Sequence, residues 1–301
     1  MSSIDLYGIF PPVPTPFVHG KLACDRLASN LDKLSRTGLK GIVVLGSNGE
    51  YVYLSADEKK KVVQTAVESV PADMPVIAGT GCESTAETIR LTREVARLGA
   101  RAALVVTPHY YSGLMSVDAM VQHFTAVADN VPIPVILYNV PKFTGVNLGV
   151  EVVARLALHP NIAGIKDSTG NVSQLGQYVN HAGGDFKVLV GTAGALLGAL
   201  SLGCVGAVAA LANVAAKNCV EIYELVKKDD YDAAGTLQLK MLPVNQAVTI
   251  TYGVPGLKSA MDMLGFFGGA PRLPLLPSTE KEKQEIRAIL EKAELLYEED
   301  L

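Results

Sequence analysis

The segment PVILYNVPKFTGVNLGVEVVARLALHPNIAGIKDSTGN, residues 134–171, contains two short apolar runs separated by a longer stretch of helical period. Both runs, PVILYN and IAGIK, are hydrophobic nearly throughout and do not alternate between polar and apolar residues. That pattern is typical of parallel strands that are covered on both faces. The segment therefore predicts a strand–helix–strand unit of a parallel sheet.

The same alternation recurs along most of the chain, with strand candidates spaced roughly 20 to 35 residues apart. The eight candidates are, in order, GIFPPVPTP, GIVVL, PVIAG, AALVVT, PVILYN, IAGIK, KVLVG and GAVAA. Eight such units predict a (β/α)8 TIM barrel, which typically needs about 250 residues. An open doubly wound sheet is the alternative, but no G-x-G-x-x-G motif follows the first strand. The prolines of the first strand also suit the start of a barrel better than the centre of a sheet.

Capping boxes mark the start of several predicted helices. Ser55 with Glu58 and Ser84 with Glu87 have the spacing in which two side chains and two backbone amides pair reciprocally. We therefore expect one helix to begin just after Ser55 and another just after Ser84.

Beyond Lys228 the strand candidates stop and only helical patterns follow. We therefore predict two regions, a barrel carrying the active site over residues 1–228 and a C-terminal helical extension over residues 229–301 that packs on it. The last helix should begin with the capping box of Thr279 and Glu282 and should dock on the barrel or on a partner subunit. Its apolar face comprises Ile286, Ile289, Leu290, Ala293 and Leu296.

Composition excludes several classes of function. The formal net charge of −4 gives no basic surface for nucleic acid or an acidic membrane. The 4 cysteines lack a C-x-x-C pair and the 5 histidines lack H-x-x-x-H or H-E-x-x-H spacing, so neither a disulfide scaffold nor a metal site is indicated. No leader pattern or apolar run of roughly 18 residues is present. We expect a cytoplasmic protein without metal.

The carboxyl ends of barrel strands form the active site of this architecture. Lys166 ends the sixth strand, where a desolvated amine could attack a carbonyl carbon and form a Schiff base; the alternative is a side chain that reaches up to water. Tyr138 ends the neighbouring fifth strand and could exchange protons in the same cavity. Alternatively, Tyr138 is an aromatic plug whose hydroxyl bonds to the backbone.

Two polar loops complete the predicted site. In GSNGE, which follows the second strand, Ser47, Asn48 and glycine-flanked amides could hold a carboxylate, or the loop could be a tight turn only. Ser168, two residues after Lys166, either contacts a distal carboxylate or caps the helix that begins near Asn171.

Taken together, these strand ends resemble the dihydrodipicolinate synthase and N-acetylneuraminate lyase family of pyruvate-dependent class I aldolases. The resemblance runs from GIFPPVPTPF through GIKDSTGN to the helical C-terminus. It implies that Lys166 forms a Schiff base with pyruvate or another 2-oxo acid, that Tyr138 relays protons, and that no separate cofactor is needed. Ser47 and Asn48 stand where the family more often has two threonines, and would take over the hydroxyl relay and the binding of the carboxylate.

The resemblance also implies a homo-oligomer, either a dimer or a tetramer. Tyr110 in TPHYY matches a tyrosine that family members insert into the active site of a neighbouring subunit, and Tyr111 is the alternative if the register slips. Gly191 and Val208, which end the seventh and eighth strands, match positions where backbone lines the site.

The aldehyde half of the reaction is less well defined. The synthases usually carry an arginine two residues after the proline of YNVP, where this chain has Phe143, and an apolar ring cannot replace a guanidinium that binds a carboxylate. The motifs GSNGE, GTGCEST, VTPHYY, GTAG, ALANV and GVPGLK are most similar to the 4-hydroxy-2-oxoglutarate aldolases.

We therefore expect a carbon–carbon lyase that cleaves 4-hydroxy-2-oxoglutarate to pyruvate and glyoxylate. Lys166 would form the imine, and Tyr138, helped by Ser47 and Tyr110, would take the proton from the C4 hydroxyl. The alternatives are a 2-keto-3-deoxy sugar acid aldolase, which yields pyruvate and glyceraldehyde, and dihydrodipicolinate synthase. A non-enzymatic alternative is an inactive barrel that serves as a binding protein, although such a decayed site should have lost Lys166 or Tyr138.

Overall fold

Eight apolar runs form the parallel strands of a barrel in the computed structural model, which describes residues 4–183 and 185–296. Every run predicted as a strand contains one, and nearly all strand residues are buried, as expected for strands covered on both faces. The strands are β1 (Gly8–Phe10), β2 (Ile42–Val44), β3 (Val76–Gly79), β4 (Ala102–Val106), β5 (Val135–Asn139), β6 (Ile162–Asp167), β7 (Lys187–Val190) and β8 (Gly206–Val208).

Strand order follows the chain from β2 to β8, and β8 pairs with β1. The ring closes between β1 and β2, where the Val13 amide donates to the Val43 carbonyl at 2.8 Å and the Val43 amide donates to the Pro11 carbonyl at 3.0 Å. The predicted TIM barrel is confirmed, and the open-sheet alternative is excluded. Because proline lacks an N–H group, regular pairing in β1 stops at Phe10, and Pro12 forms an isolated bridge to Val43 at the closure.

Eight helices, one after each barrel strand, cover the outside of the barrel, and a further single-turn helix, Pro141–Thr144, follows β5 directly. The eight are α1 (Cys24–Ser35), α2 (Ala56–Ser69), α3 (Thr85–Arg97), α4 (Val117–Asp129), α5 (Val150–Leu156), α6 (Val172–Ala182), α7 (Leu196–Ser201) and α8 (Ala216–Lys227). The capping box of Ser55 and Glu58 is confirmed. Ser84 accepts a hydrogen bond from the Glu87 amide, but the Glu87 carboxylate pairs with Arg90 rather than completing the box.

Three further helices follow the barrel, α9 (Tyr231–Gln246), α10 (Gly253–Met263) and α11 (Glu280–Lys292), with a π-helical turn at Ala247–Thr251. The change predicted near Lys228 falls in the turn between α8 and α9. Helix α9 packs on α7 and α8, so this region docks on the barrel of its own chain. None of the described helices combines the length and the apolar character needed to cross a membrane.

Helix α11 has the predicted amphipathic form. Its capping box of Thr279 and Glu282 is confirmed, and α11 packs against α10 and α9. The predicted apolar face is also confirmed, since three of its residues are buried in the main core and two are half-buried against it. The buried residues are Ile286, Leu290 and Ala293, and the half-buried ones are Ile289 and Leu296.

Candidate active site

Lys166 and Tyr138 meet inside the mouth of the barrel. They are register partners on β6 and β5, so both side chains leave the sheet on the same side. The Nζ of Lys166 lies 4.1 Å from the centroid of the Tyr138 ring, and the two residues are only 3% and 5% exposed. This burial contradicts the alternative in which Lys166 reaches up to bulk water. Among the described residues, no carboxylate lies within ion-pair distance of this amine.

The Tyr138 hydroxyl contacts a second side chain of the predicted site. Its oxygen lies 3.1 Å from Oγ of Ser47, in a hydrogen bond in which either group can donate. The alternative, a hydroxyl bonded to the backbone, is therefore wrong. Tyr51, which sequence reasoning missed, packs nearby, and burial together with the Tyr138 phenol raises the pKa of Tyr51. Its place directly after GSNGE was the available signal.

The GSNGE loop adopts a tight conformation that its neighbours hold in place. Ser47–Gly49 forms a single 3-10 turn, and the flanking Leu45 and Glu50 have left-handed backbones with φ of 57° and 52°. The Thr15 hydroxyl donates to the Gly49 carbonyl at 2.6 Å. Non-glycine residues adopt this conformation at some energetic cost, so the loop depends on these supporting contacts.

Glu50 anchors the same loop to the C-terminal region. Its Oε1 lies 2.6 Å from Nζ of Lys258 on α10, with both side chains 1% exposed, and its Oε2 accepts a hydrogen bond from the Arg272 amide at 2.7 Å. Burial lowers the pKa of Lys258, and the Glu50 carboxylate opposes that shift. No local sequence pattern indicates this pair, because the partners are far apart in the chain.

Ser168 and Gly191 adjoin at the ends of β6 and β7. A Cβ atom on Gly191 would lie 1.9 Å from Oγ of Ser168 and 2.8 Å from its Cα, so this site requires glycine. The alternative role of Ser168 as a helix cap is wrong, because Asn171 caps α6 by accepting a hydrogen bond from the Gln174 amide at 3.1 Å. Ser168 is thus free to face the cavity.

A fully buried carboxylate, which sequence reasoning missed, fixes the backbone around Lys166. Asp167 accepts hydrogen bonds from Nδ2 of Asn139 at 2.7 Å, Nε2 of Gln174 at 2.9 Å and the Thr169 amide at 2.9 Å. These donors are neutral and lie on β5, α6 and the connecting loop. They hold the strand end that carries Lys166 against its neighbour. The signal was the polar cluster KDST directly after an apolar strand.

The cavity at the mouth encloses about 550 Å³. Most of the predicted site residues line it, namely Ser47, Asn48, Tyr138, Phe143, Lys166, Ser168 and Gly191. Sequence reasoning missed a second group of lining residues, Lys142, Thr192, Leu242, Asn245, Thr249 and Ile250. Four of these belong to α9 and the π-helical turn, so the helices after the barrel form one wall of the cavity. In the sequence, this wall is marked only by the proline of the segment PVNQAVT, which interrupts an otherwise helical pattern.

Two predicted residues lie elsewhere. Val208 is buried inside the barrel with Phe10 and Tyr138, and Ala210, two residues further on, lines the cavity in its place. The expected role of Val208 concerns its backbone rather than its side chain, and it stays a prediction. The strand ends at Val208, and the chain reaches the mouth only beyond it.

Tyr110 also lies outside the cavity of its own chain. It is 77% exposed on the loop after β4, and Tyr111 beside it is 67% exposed. The Glu83 carboxylate fixes this loop by accepting hydrogen bonds from the His109 amide at 3.0 Å and the Tyr110 amide at 2.8 Å. A role for Tyr110 in catalysis needs a second copy of the chain and stays a prediction. Within the described residues, no cluster of three or more His, Cys, Asp and Glu side chains could hold a metal ion.

Sequence comparison places this site in a known family. The sequence model of the dihydrodipicolinate synthetase family matches residues 5–293. The chain belongs to this family. Family members are pyruvate-dependent Schiff-base enzymes, so the expected enzyme class, a carbon–carbon lyase, is confirmed.

Relatives and solved structures agree with this membership. The chain is 39% identical over 287 residues to a 4-hydroxy-tetrahydrodipicolinate synthase of Methanothrix thermoacetophila, covering 95% of this chain and 96% of that protein. It is 36% identical over 293 residues to the synthase of Cereibacter sphaeroides, covering 96% and 99%. A dihydrodipicolinate synthase of Acinetobacter baumannii, solved with pyruvate, superposes with a TM-score of 0.93 at 32% identity and covers 97% of this chain and 100% of that one.

These relatives do not support the narrower expectation. They are named for the synthase reaction, and none of them is named as a 4-hydroxy-2-oxoglutarate aldolase. Two of the motifs behind that expectation, GSNGE and GTAG, lie around Lys166 in the same cavity. They therefore describe the neighbourhood of the amine, and they carry little information about the aldehyde.

Proposed function

We propose that Lys166 forms an imine with pyruvate and that the protein joins the resulting enamine to an aldehyde, or runs this reaction in reverse. The observation that carries the proposal is the buried Lys166 amine over the Tyr138 ring, with the Tyr138 hydroxyl bonded to Ser47. A buried amine free of an ion pair is a suitable nucleophile for a carbonyl carbon. The prepositioned hydroxyl pair supplies the proton transfers that imine chemistry requires.

The steps balance without a metal or a redox cofactor. The Lys166 nitrogen adds to C2 of pyruvate, and the carbinolamine loses water to give the imine. Loss of a proton from C3 gives the enamine, whose C3 attacks the aldehyde carbon while Tyr138 protonates the new alkoxide. Water then adds to C2 and releases the free amine and a 4-hydroxy-2-oxo acid. Ser47 and Asn48 hold the C1 carboxylate throughout, so that each step starts from an aligned complex.

Aspartate semialdehyde is the first candidate for the aldehyde, because the relatives are named 4-hydroxy-tetrahydrodipicolinate synthases and the family resemblance implies this aldehyde for the synthase reaction. A second candidate reaction is the cleavage of 4-hydroxy-2-oxoglutarate. Phe143 favours this second candidate. Its ring is 59% exposed at the cavity and supplies no guanidinium to bind the carboxylate of aspartate semialdehyde.

We also propose that the protein works as a homo-oligomer, a dimer or a tetramer, in the cytoplasm. The loop after β4 carries an exposed apolar patch. It consists of Tyr110, Tyr111 and Leu114, whose exposed fractions are 77%, 67% and 73%. Glu83 holds the backbone of that loop, so the patch is presented in a fixed arrangement. Exposed aromatic groups on a rigid loop are typical of residues that bind a partner surface.

Trapping with borohydride tests the Schiff base. Incubation with pyruvate and borohydride, followed by digestion and mass spectrometry, should show a reduced adduct on Lys166, and Lys166→Met should abolish it. Lys258 is an internal control, since it is equally buried but paired with Glu50 and should stay unlabelled. An adduct that is absent, or that lies on another lysine, contradicts the proposal.

Turnover assays then separate the two candidate reactions. The synthase reaction predicts consumption of pyruvate with aspartate semialdehyde, and the aldolase reaction predicts release of pyruvate from 4-hydroxy-2-oxoglutarate. A 2-keto-3-deoxy sugar acid serves as the third substrate. The higher kcat/KM identifies the natural aldehyde, and turnover of the sugar acid alone would contradict both candidates.

A further inference from the structure

The side chains that line the cavity carry an unbalanced charge. Two lysines, Lys142 and Lys166, line it, and no aspartate or glutamate of the described chain does so. A cleft lined by one sign of charge concentrates ligands of the opposite sign. Pyruvate brings a single carboxylate. One cation is therefore left without a counter-charge when only pyruvate is bound.

Lys142 is the cation that remains available. Its Nζ donates one hydrogen bond, to the Thr249 carbonyl at 3.2 Å, and lies 5.6 Å from the centroid of the Phe143 ring. An ammonium group has three donors, so two are open. No carboxylate pairs with this lysine within residues 4–183 and 185–296.

The backbone of Lys142 is well fixed although its side chain is long. Lys142 lies in the single-turn helix Pro141–Thr144, in which the Phe143 amide donates to the Val140 carbonyl at 2.9 Å. The Thr144 hydroxyl donates to the Val146 carbonyl at 3.1 Å and closes the turn from below. Because Thr249 belongs to the π-helical turn, the Lys142 amine links two walls of the cavity and stays at its rim.

We infer that Lys142 binds a carboxylate of the aldehyde partner and that the enzyme therefore selects anionic aldehydes. This inference rests on the proposed Schiff base at Lys166. Both aspartate semialdehyde and glyoxylate belong to the selected class, whereas glyceraldehyde and other neutral hydroxyaldehydes do not. A lysine acts as a point charge without the two-pronged geometry of arginine, so it should accept carboxylates at different distances from the aldehyde carbon.

A matched pair of aldehydes tests the inference. Glyoxylate carries a carboxylate where glycolaldehyde carries a hydroxymethyl group, and each is condensed with pyruvate. Aspartate semialdehyde is a second anionic probe. Lys142→Met keeps the chain length and removes the charge, and Lys142→Arg keeps the charge. Lys228→Met removes an exposed lysine that does not line the cavity. Loss of one charge-assisted hydrogen bond to the aldehyde corresponds to about a ten- to hundredfold loss of kcat/KM for that aldehyde.

We expect Lys142→Met to lower the preference for the anionic aldehyde, as a ratio of kcat/KM values, about ten- to hundredfold. Lys142→Arg should retain most of this preference, and Lys228→Met should retain all of it. Labelling of Lys166 by pyruvate and borohydride should persist in Lys142→Met. If Lys142→Met is still labelled but its preference for the anionic aldehyde is unchanged, the inference about Lys142 is overturned while the proposed Schiff base stands. If the wild-type protein is not labelled, the proposed Schiff base itself fails.

Discussion

Tyr138 makes two contacts in the candidate site, one through its ring and one through its hydroxyl. Its ring packs against the Lys166 amine at 4.1 Å, and its hydroxyl meets Ser47 at 3.1 Å. A cation over an aromatic face is stabilised by about 0.5 to 2 kcal/mol, depending on how fully it is desolvated. The ring therefore positions the amine, while the hydroxyl has the proposed role of carrying protons. A substitution that removes only the hydroxyl separates these functions.

Tyr138→Phe should lower kcat about 10²- to 10⁴-fold, because the ring stays and the proton relay is lost. The free energy of unfolding should fall by only about 1 kcal/mol, since one hydrogen bond disappears. Steady-state kinetics and urea unfolding measure the two effects. Tyr231→Phe, on an exposed tyrosine of α9, is the matched control and should change neither. A Tyr138→Phe variant with wild-type kcat would exclude the relay.

At the scale of elements, the loop that carries Ser47 depends on the C-terminal region. Beside the pair of Glu50 and Lys258, Arg272 forms two hydrogen bonds with the Glu58 carboxylate at 2.7 and 2.9 Å and donates to the Tyr53 carbonyl at 2.7 Å. Arg272 lowers the pKa of Glu58 to about 2, so this contact persists at any ordinary pH. These interactions offset the cost of the left-handed backbone in the loop.

Glu50→Gln should destabilise the protein by about 3 to 5 kcal/mol, because it leaves the Lys258 ammonium buried without its partner. It should also raise the KM for pyruvate, since Ser47 and Asn48 lie on the loop that Glu50 anchors. Urea unfolding and steady-state kinetics measure both effects.

The double variant Glu50→Gln/Lys258→Met should recover part of the stability, because the unpaired charge is gone. Asp32→Asn breaks an exposed pair with Arg36 and should cost less than about 1 kcal/mol. If the double variant is as unstable as the sum of the two single ones, the buried charge is not the cause.

The same elements show what the sequence could predict. Each barrel strand was visible as a local apolar run, and Lys166, Tyr138 and Gly191 could be assigned to the site because they end such runs. The partners of Glu50 and the wall formed by Asn245 and Thr249 could not be predicted. They depend on contacts between residues far apart in the chain, and neither hydrophobic period nor capping residues report such contacts.

For the molecule as a whole, the cavity is covered unevenly. Helix α9 and the π-helical turn close one side of it, while Tyr110 is exposed on its loop and does not line the cavity of its own chain. In a symmetric dimer each subunit offers the same surface to the other, so each Tyr110 could enter the partner's cavity. The site of one chain would then be completed by its neighbour, and activity would require the oligomer.

Mixing of two inactive variants tests this arrangement. Lys166→Met lacks the amine but keeps Tyr110, and Tyr110→Ala lacks the phenol but keeps the amine. In a hybrid dimer, the Tyr110→Ala chain receives Tyr110 from its partner and has one complete site. Random exchange of equal amounts should therefore restore about a quarter of the wild-type activity per subunit. The control replaces Lys166→Met by the double variant Lys166→Met/Tyr110→Ala, which should give no rescue. A mixture no more active than its components, or a fully active monomer in light scattering, would show that each chain completes its own site.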